Sequence, residues 1–420
     1  MSARLHTLAN GVRVIADPMP GLETIALAVV AGRGARYEDA SSSGWSHLLE
    51  HMVFKGAGGR SARDIVEAVE AEGGQINAAT AYERTSFQVR ALKGGLPLAM
   101  EVLSDLVLHP TLSEDDLARE KQVVGQEIAE AADTPDDLVF ELAQAKAFGD
   151  QPLGRSILGT VESIAAADPG TIGDWRASLY APDRLIVAAS GAIDEDELLA
   201  LTSRAFGSIS GQGVPVTEAG AFTGGMAPTR RDLEQAHLVI LLPSVGSADP
   251  DYFAVRLFAE ALGGGMSSRL FQEAREKRGL AYSIDAYAEA YSDTGVLGVY
   301  AGCQAKDAAE LARVTAAEIA DLASAVTEAE LARCKAQLKG HLFMAAERPL
   351  VRAEQAAGQT LLFGAPRELA DLAAAIDAVT PADMARLGGR LLASRKVAGA
   401  VLGPKGAMGA PDAFEKALFG

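Results

Sequence analysis

Long apolar runs are absent from this 420-residue sequence. No stretch approaches the roughly 18 consecutive apolar residues that a membrane-spanning helix needs. The first ten residues also lack the apolar core of a secretion signal. We therefore expect a protein without a membrane span that is cytoplasmic, or that lies in the mitochondrial matrix if a transit peptide has been removed.

Cysteine is scarce as well. The two cysteines, Cys303 and Cys334, do not form the closely spaced Cys-x-x-Cys pair of a metal or redox site. A chain of this length with two cysteines is typical of a reducing compartment. We expect both thiols to be free and buried, where cysteine packs like a small apolar residue.

Basic residues are outnumbered, with 38 Lys and Arg against 56 Asp and Glu and a net charge of −18. Phosphate binding needs a basic surface, so nucleic acid is not expected as a partner. The acidity would suit a basic peptide drawn into an acidic cavity. The alternative is that the acidic surface only keeps the protein soluble.

The order of helices and strands repeats once along the chain. In the first half, strands are predicted at 12–16, 24–31 and 184–189, a strand pair at 75–92, and helices at 43–55, 62–72, 96–108, 114–132 and after Pro135. In the second half, strands are predicted at 237–242, 282–289 and 295–303, and helices at 252–262, 267–277, 306–324 and 327–346. Residues 207–228 are rich in Gly, Ser, Pro and Thr and are typical of a linker.

The two halves resemble copies of each other. Residues 112–119 match residues 326–333 at an offset of 214, about half the chain, which indicates duplicated domains rather than a solenoid. Each copy mixes antiparallel strands with helices. The predicted class is α+β, with an N-terminal domain at 1–206, a linker at 207–228 and a homologous C-terminal domain at 229–420.

The sequence His47-Leu48-Leu49-Glu50-His51 carries the chemistry. Histidines four residues apart lie on one face of a helix and can reach one metal ion, and Glu50 can hold or deprotonate a water there. The His-x-x-Glu-His order is that of the inverted zinc peptidases.

A hydrolytic zinc site usually has a third protein ligand. The helix at 114–132 is the best source, because Glu120 and Glu127 share one face and Glu130 lies near it. The second half has no His-x-x-Glu-His motif, and the offset of 214 places Cys334 and His341 at the positions of Glu120 and Glu127. The N-terminal half is therefore predicted to be catalytic and the C-terminal half non-catalytic.

Residues 44–56, 74–85, 120–128 and 262–283 resemble the pitrilysin family (M16) of zinc metallopeptidases. Within it, the chain is similar to the processing-peptidase branch (M16B), which includes the β subunit of mitochondrial processing peptidase and bacterial homologues. The resemblance covers nearly the whole chain. It implies a LuxS/MPP-like fold of two duplicated domains, each a mostly antiparallel sheet covered by helices.

The resemblance also implies roles for individual residues. His47, His51 and Glu127 match the ligands of one Zn2+ per chain, and Glu50 matches the general base. Glu120 matches a carboxylate that supports a ligand.

Other matching residues concern the substrate. Asn77 and Ala78 match an edge strand that pairs with the substrate backbone. Arg275 and Tyr282 match an arginine–tyrosine pair of the other domain that approaches the substrate carbonyl.

The resulting hypothesis is a zinc-dependent endopeptidase that cleaves peptides or unfolded, presequence-like segments. One alternative is a non-catalytic scaffold subunit of a larger complex, such as the family's respiratory-complex core proteins, which lose ligands or the base. Another is half of a heterodimer with a related chain. Because the ligand set and the arginine–tyrosine pair occur on one chain, a homodimer is the favoured assembly.

Overall fold

The computed structural model describes residues 3–211 and 218–420. Residues 212–217 of the predicted linker lie outside the described residues, and residues 225–228 of that linker belong to a strand. Among the described helices, none has the length and apolar character needed to cross a membrane.

The strands and helices follow the repeated order that the sequence indicates. The described strands are β1 (Arg4–Thr7), β2 (Arg13–Pro18), β3 (Thr24–Ala31), β4 (Gly56–Ala57), β5 (Arg60–Ser61), β6 (Gln75–Thr80), β7 (Thr85–Leu92), β8 (Leu185–Gly191), β9 (Gly225–Arg230), β10 (Ala236–Ser244), β11 (Ala281–Ala290), β12 (Gly295–Cys303) and β13 (Ala398–Gly403). The described helices are α1 (Trp45–Val53), α2 (Ala62–Ala71), α3 (Leu96–Leu108), α4 (Glu114–Asp133), α5 (Pro135–Phe148), α6 (Val161–Ala166), α7 (Pro169–Leu179), α8 (Glu195–Phe206), α9 (Tyr252–Gly263), α10 (Ala308–Ser324), α11 (Glu328–Ala345), α12 (Pro349–Phe363), α13 (Leu369–Ala378), α14 (Pro381–Ala393) and α15 (Ala410–Phe419).

The described chain divides into two units. The first contains residues 3–129, 156–211 and 343–369, and the second contains residues 130–155, 218–342 and 370–420. Each unit is built on its own sheet, and each sheet is mostly antiparallel with one parallel pair. The predicted α+β class is therefore confirmed.

The sheet of the first unit has the order β1-β2-β8-β3-β7-β6, which leaves β6 at one edge. The central strand β3 is buried along nearly its whole length because both faces of the sheet are covered. Alternate residues of β3 belong to different cores: Leu27 and Val29 face helices such as α3, whereas Ala28 and Val30 face α12.

The second unit has a sheet of order β11-β12-β10-β13-β9, and its core is formed with α9, α10, α14 and α15. One predicted helix has a different hydrogen-bonding pattern in the structure. The segment predicted as a helix at 267–277 has π-helical hydrogen bonding over Phe271–Lys277. Glycine disfavours a helix interior, and residues 264–268, which include two glycines, form bends and turns.

The two units exchange equivalent helices. Helix α5 comes from the N-terminal half but packs on β10 and β13 of the second unit. Helix α12 comes from the C-terminal half but packs on β3 and β8 of the first. Their first residues, Pro135 and Pro349, are separated by the same 214 residues as the repeat. The exchange is therefore reciprocal between the two copies.

An ion pair between a partly exposed arginine and a buried carboxylate joins α12 to the first sheet. The carboxylate of Asp17 on β2 accepts bonds of 2.5 and 2.6 Å from Nε and Nη2 of Arg352. Asp17 is 2% exposed, so Arg352 takes the place of most of the water around its carboxylate. A two-bond arginine–carboxylate contact also fixes the direction of approach.

We expect Arg352→Ala to lower the free energy of unfolding by about 3 kcal/mol, because it leaves a buried carboxylate unpaired. The measurement is urea denaturation of the full chain. The control is Arg348→Ala, which removes an exposed arginine beside the same helix. Equal stability of the two variants would contradict the role given to the Arg352–Asp17 pair.

Candidate metal centre

The helix that carries the motif begins at a residue that must be glycine. Gly44 precedes α1 with φ of 86°, and a Cβ there would lie 2.5 Å from the carbonyl oxygen of Leu158. Because Gly44 has no side chain to cap the helix, the buried carboxylate of Glu38 accepts 2.7 Å hydrogen bonds from the N–H groups of Gly44 and Ser46. An anion is favourable at a helix N-terminus. Glu38 thus anchors the start of α1.

The structure brings two imidazoles and a carboxylate together. The ring centroids of His47 and His51 are 4.7 Å apart on α1. Glu127 on α4 points its Oε2 at both rings, 3.7 Å from Nε2 of His47 and 3.5 Å from Nε2 of His51. One ligand atom from each residue lies within 4.8 Å of the others.

The spacing fits a zinc ion. Zinc binds nitrogen and carboxylate oxygen at about 2.0–2.2 Å, and tetrahedral geometry then separates the ligand atoms by about 3.4 Å. The separations from Glu127 are close to this value. Among the described residues, Oε2 of Glu127 and Nδ1 of His47 are buried without a hydrogen-bond partner. A cation would satisfy the carboxylate oxygen, so the three residues fit a metal with nitrogen and oxygen ligands.

Glu120 orients one of the imidazoles. Its side chain is buried on α4, with Oε2 3.1 Å from Nδ1 of His51 and Oε1 2.8 Å from Nζ of Lys55. When Nδ1 of His51 donates to this carboxylate, Nε2 keeps its lone pair and faces Glu127. The charge of Lys55 stabilises the buried carboxylate.

The protonation state of His47 favours metal binding. Burial lowers the pKa of His47 to about 4, and the neighbouring His51 acts in the same direction. The imidazole is therefore neutral at pH 7 and has a free lone pair.

Glu50 lies on the same helix and is held by a residue of the edge strand. The hydroxyl of Thr80 donates a 2.6 Å hydrogen bond to Oε2 of Glu50. Burial raises the pKa of Glu50, although the bond from Thr80 acts in the opposite direction. A carboxylate with a raised pKa takes up a proton more readily, which is useful in a general base.

The structure places the other predicted residues as follows. Asn77 and Ala78 lie on β6, which is an edge strand; Asn77 is exposed and Ala78 is buried against the core. Arg275 and Tyr282 belong to the second unit. The guanidinium of Arg275 lies 4.6 Å from the ring centroid of Phe271, and the hydroxyl of the exposed Tyr282 accepts a 2.8 Å hydrogen bond from Gln304.

Three residues of the site were not predicted from the sequence: Glu38, Lys55 and Thr80. Lys55 could have been found, because it is four residues after His51. Thr80 lies within a segment of family resemblance, but nothing in its spacing indicates contact with Glu50. Glu38 has no local signal, since its role depends on how the preceding loop folds back.

The second unit carries different chemistry at the equivalent helix. Helix α11 has Cys334 and His341 where α4 has Glu120 and Glu127. Cys334 is a buried free thiol, as is Cys303, in agreement with the expectation for both cysteines. The group of His47, His51 and Glu127 therefore lies entirely within the first unit.

Two family models match this chain. The model described as insulinase (peptidase family M16) matches residues 13–161, and the model described as peptidase M16 inactive domain matches residues 169–338. The first match contains the candidate metal centre. The second contains most of the second unit.

Individual relatives are similar to this chain along nearly its full length. An uncharacterized zinc protease of Mycobacterium tuberculosis is 36% identical, covering 97% of this chain and 94% of the relative. One of Bacillus subtilis is 33% identical, covering 96% and 98%. The crystal structure of a protease from Helicobacter pylori shares the fold, with a TM-score of 0.89 and 22% identity over 96% of this chain and 100% of that chain.

We expect Glu120→Gln to weaken zinc binding about 10- to 100-fold, because residues that orient metal ligands typically contribute this much. The measurement is the Kd for zinc, by competition with a chelator on the full chain. Asp115→Asn removes an exposed carboxylate from the same helix and should leave the Kd unchanged. An unaltered Kd in Glu120→Gln would contradict the role given to Glu120.

Proposed function

Because this chain belongs to peptidase family M16, we propose that it is a zinc-dependent endopeptidase that cleaves peptides or unfolded segments. One observation carries the proposal. Oε2 of Glu127 lies 3.7 Å from Nε2 of His47 and 3.5 Å from Nε2 of His51, and Glu50 precedes His51 on the same helix. The scaffold alternative would lead one to expect the loss of a ligand or of the base, and all four residues are present.

His47, His51 and Glu127 would hold the zinc ion. When bound, zinc supplies Lewis-acid polarisation of a carbonyl oxygen and acidifies water. Glu50 accepts the proton of the attacking water and passes it to the leaving amine. Thr80 occupies Oε2 of Glu50, which leaves the other carboxylate oxygen to carry the proton.

The edge strand β6 supports an extended substrate. A peptide that adds to a sheet edge is bound through its main chain, so the affinity does not depend on a strict sequence. Asn77 and Ala78 are proposed to pair with it. Peptides and unfolded segments can extend along this edge without losing structure of their own, and they are therefore the proposed substrates.

Arg275 and Tyr282 are proposed to act on the substrate carbonyl. A guanidinium and a phenol hydroxyl can donate to the negative charge that develops on the carbonyl oxygen. Because these residues and the ligand set occur on one chain, the proposed assembly is a homodimer of self-sufficient chains. The net charge of −18 favours basic peptides.

We expect Glu50→Gln to keep one zinc per chain and to lower peptide turnover at least about 1,000-fold, within the range of general acid–base catalysis. The assay is digestion of a peptide library, with and without a chelator, beside a metal analysis. Glu23→Gln, an exposed change outside the site, is the control. Unchanged turnover in Glu50→Gln would refute its assignment as the base.

We expect Tyr282→Phe to lower kcat about 100-fold with zinc content unchanged, because it removes a donor to the developing charge. Tyr252→Phe, on α9 of the same unit, should leave kcat close to that of the unmodified protein. A kcat in Tyr282→Phe that equals the control would remove Tyr282 from the proposed mechanism.

A further inference from the structure

A groove of about 420 Å³ lies beside the edge strand β6 in the first unit. Helix α2 contributes Val66, Val69 and Glu70 to its lining. The strands contribute Ile76, Asn77 and Arg90, among others. The groove therefore combines an aliphatic floor with charged groups.

The groove lies at the first half of β6, and the end of the same strand contacts Glu50 of the candidate metal centre. Thr80, the last residue of this strand, contacts Glu50, and Asn77 lies three residues before it. At about 3.3 Å per residue, the groove begins about 10 Å from Thr80. A peptide paired with β6 would therefore pass from the catalytic carboxylate into the groove within a few residues.

The two faces of β6 differ in chemistry. Ile76 packs against the apolar core to which Val69 of α2 belongs, whereas Gln75 on the opposite face accepts a hydrogen bond from Arg90. Side chains of an added strand would alternate in the same way. Every second residue of a bound peptide therefore faces α2.

The α2 side of the groove is suited to a long basic side chain. Among the described residues, the exposed carboxylate of Glu70 has no ion-pair partner, whereas Glu67, one turn earlier, accepts a 2.6 Å bond from Arg63. Val66 and Ile76 offer aliphatic contact beside Glu70. Lysine and arginine place an aliphatic stem on apolar surface and extend the charged end beyond it.

We propose that this groove is a substrate subsite that selects Lys or Arg through Glu70. Antiparallel pairing is slightly more stable than parallel pairing. Antiparallel pairing makes the bound peptide run, from its N-terminus to its C-terminus, past Thr80 and then past Gln75. The selected residue of the peptide therefore lies three to five positions after the scissile bond. This inference rests on the proposed peptidase function.

The test uses the full, zinc-loaded chain and a peptide cleaved at one known bond. Lys, Leu or Glu is placed in turn at the third, fourth and fifth positions after that bond, and kcat/KM is measured by mass spectrometry. We expect Lys to exceed Glu about fivefold at the position that faces α2, as for an exposed ion pair. Glu70→Lys should invert this preference, and high salt should reduce it.

Glu67→Lys is the matched control, because it makes the same charge change one turn away and outside the lining. It should keep the Lys preference of the unmodified protein. If Glu70→Lys also keeps that preference while cleaving normally, the subsite assignment is overturned and the peptidase function stands.

Measurements of peptide binding distinguish the subsite proposal from the proposed peptidase function. The same peptides are bound to the Glu50→Gln variant and to Glu50→Gln combined with Glu70→Lys, and fluorescence anisotropy gives the Kd. A Lys preference in binding that depends on Glu70 supports the subsite. Absence of peptide cleavage by the unmodified chain would count against the proposed function, but it would leave this support for the subsite intact. Equal Kd values for all peptides in both variants would overturn the subsite.

Discussion

The carboxylate of Glu120 joins two helices from separate parts of the first unit. It is buried on α4 and contacts Nδ1 of His51 and Nζ of Lys55, both on or just after α1. A buried carboxylate without such partners would cost several kcal/mol in lost hydration. The contact therefore fixes how α4 lies against α1. Two turns later on α4, Glu127 arrives at the two imidazoles, so the group that specifies the packing also specifies the metal geometry.

The parts of the site that could be predicted from the sequence are those set by helix periodicity. His47, Glu50 and His51 are placed by spacing along α1. Spacing along α4 offers Glu120, Glu127 and Glu130 as candidates, and only the family resemblance distinguished Glu127 as the ligand from Glu120 as its support. Glu38 and Thr80 could not be predicted, because each meets α1 only through tertiary folding. The same limit applies to the fold. Strands in both halves and the repeat were visible, but the edge strand β1 and the helix α12 were not predicted, and the sequence of α12 does not indicate on which sheet it packs.

The two copies carry different residue types at equivalent positions of one helix. In the first unit α4 presents carboxylates to the imidazoles, and in the second α11 presents Cys334 to the core. Burial raises the pKa of the Cys334 thiol to about 11, which keeps it protonated and unreactive. The equivalent position is therefore a packing position in the second unit, and the roles proposed for that unit are those of Arg275 and Tyr282.

The reciprocal exchange of α5 and α12 has a consequence for biosynthesis. When a ribosome has completed β8, all six strands of the first sheet have been made, but the helix that covers one face of that sheet ends only at Phe363. Until then Ile15, Ala28 and Val30 have no partner from α12. The nascent chain must therefore carry an exposed apolar surface while the 172 residues from the end of β8 to the end of α12 are made, and the first unit can mature only after much of the second has emerged.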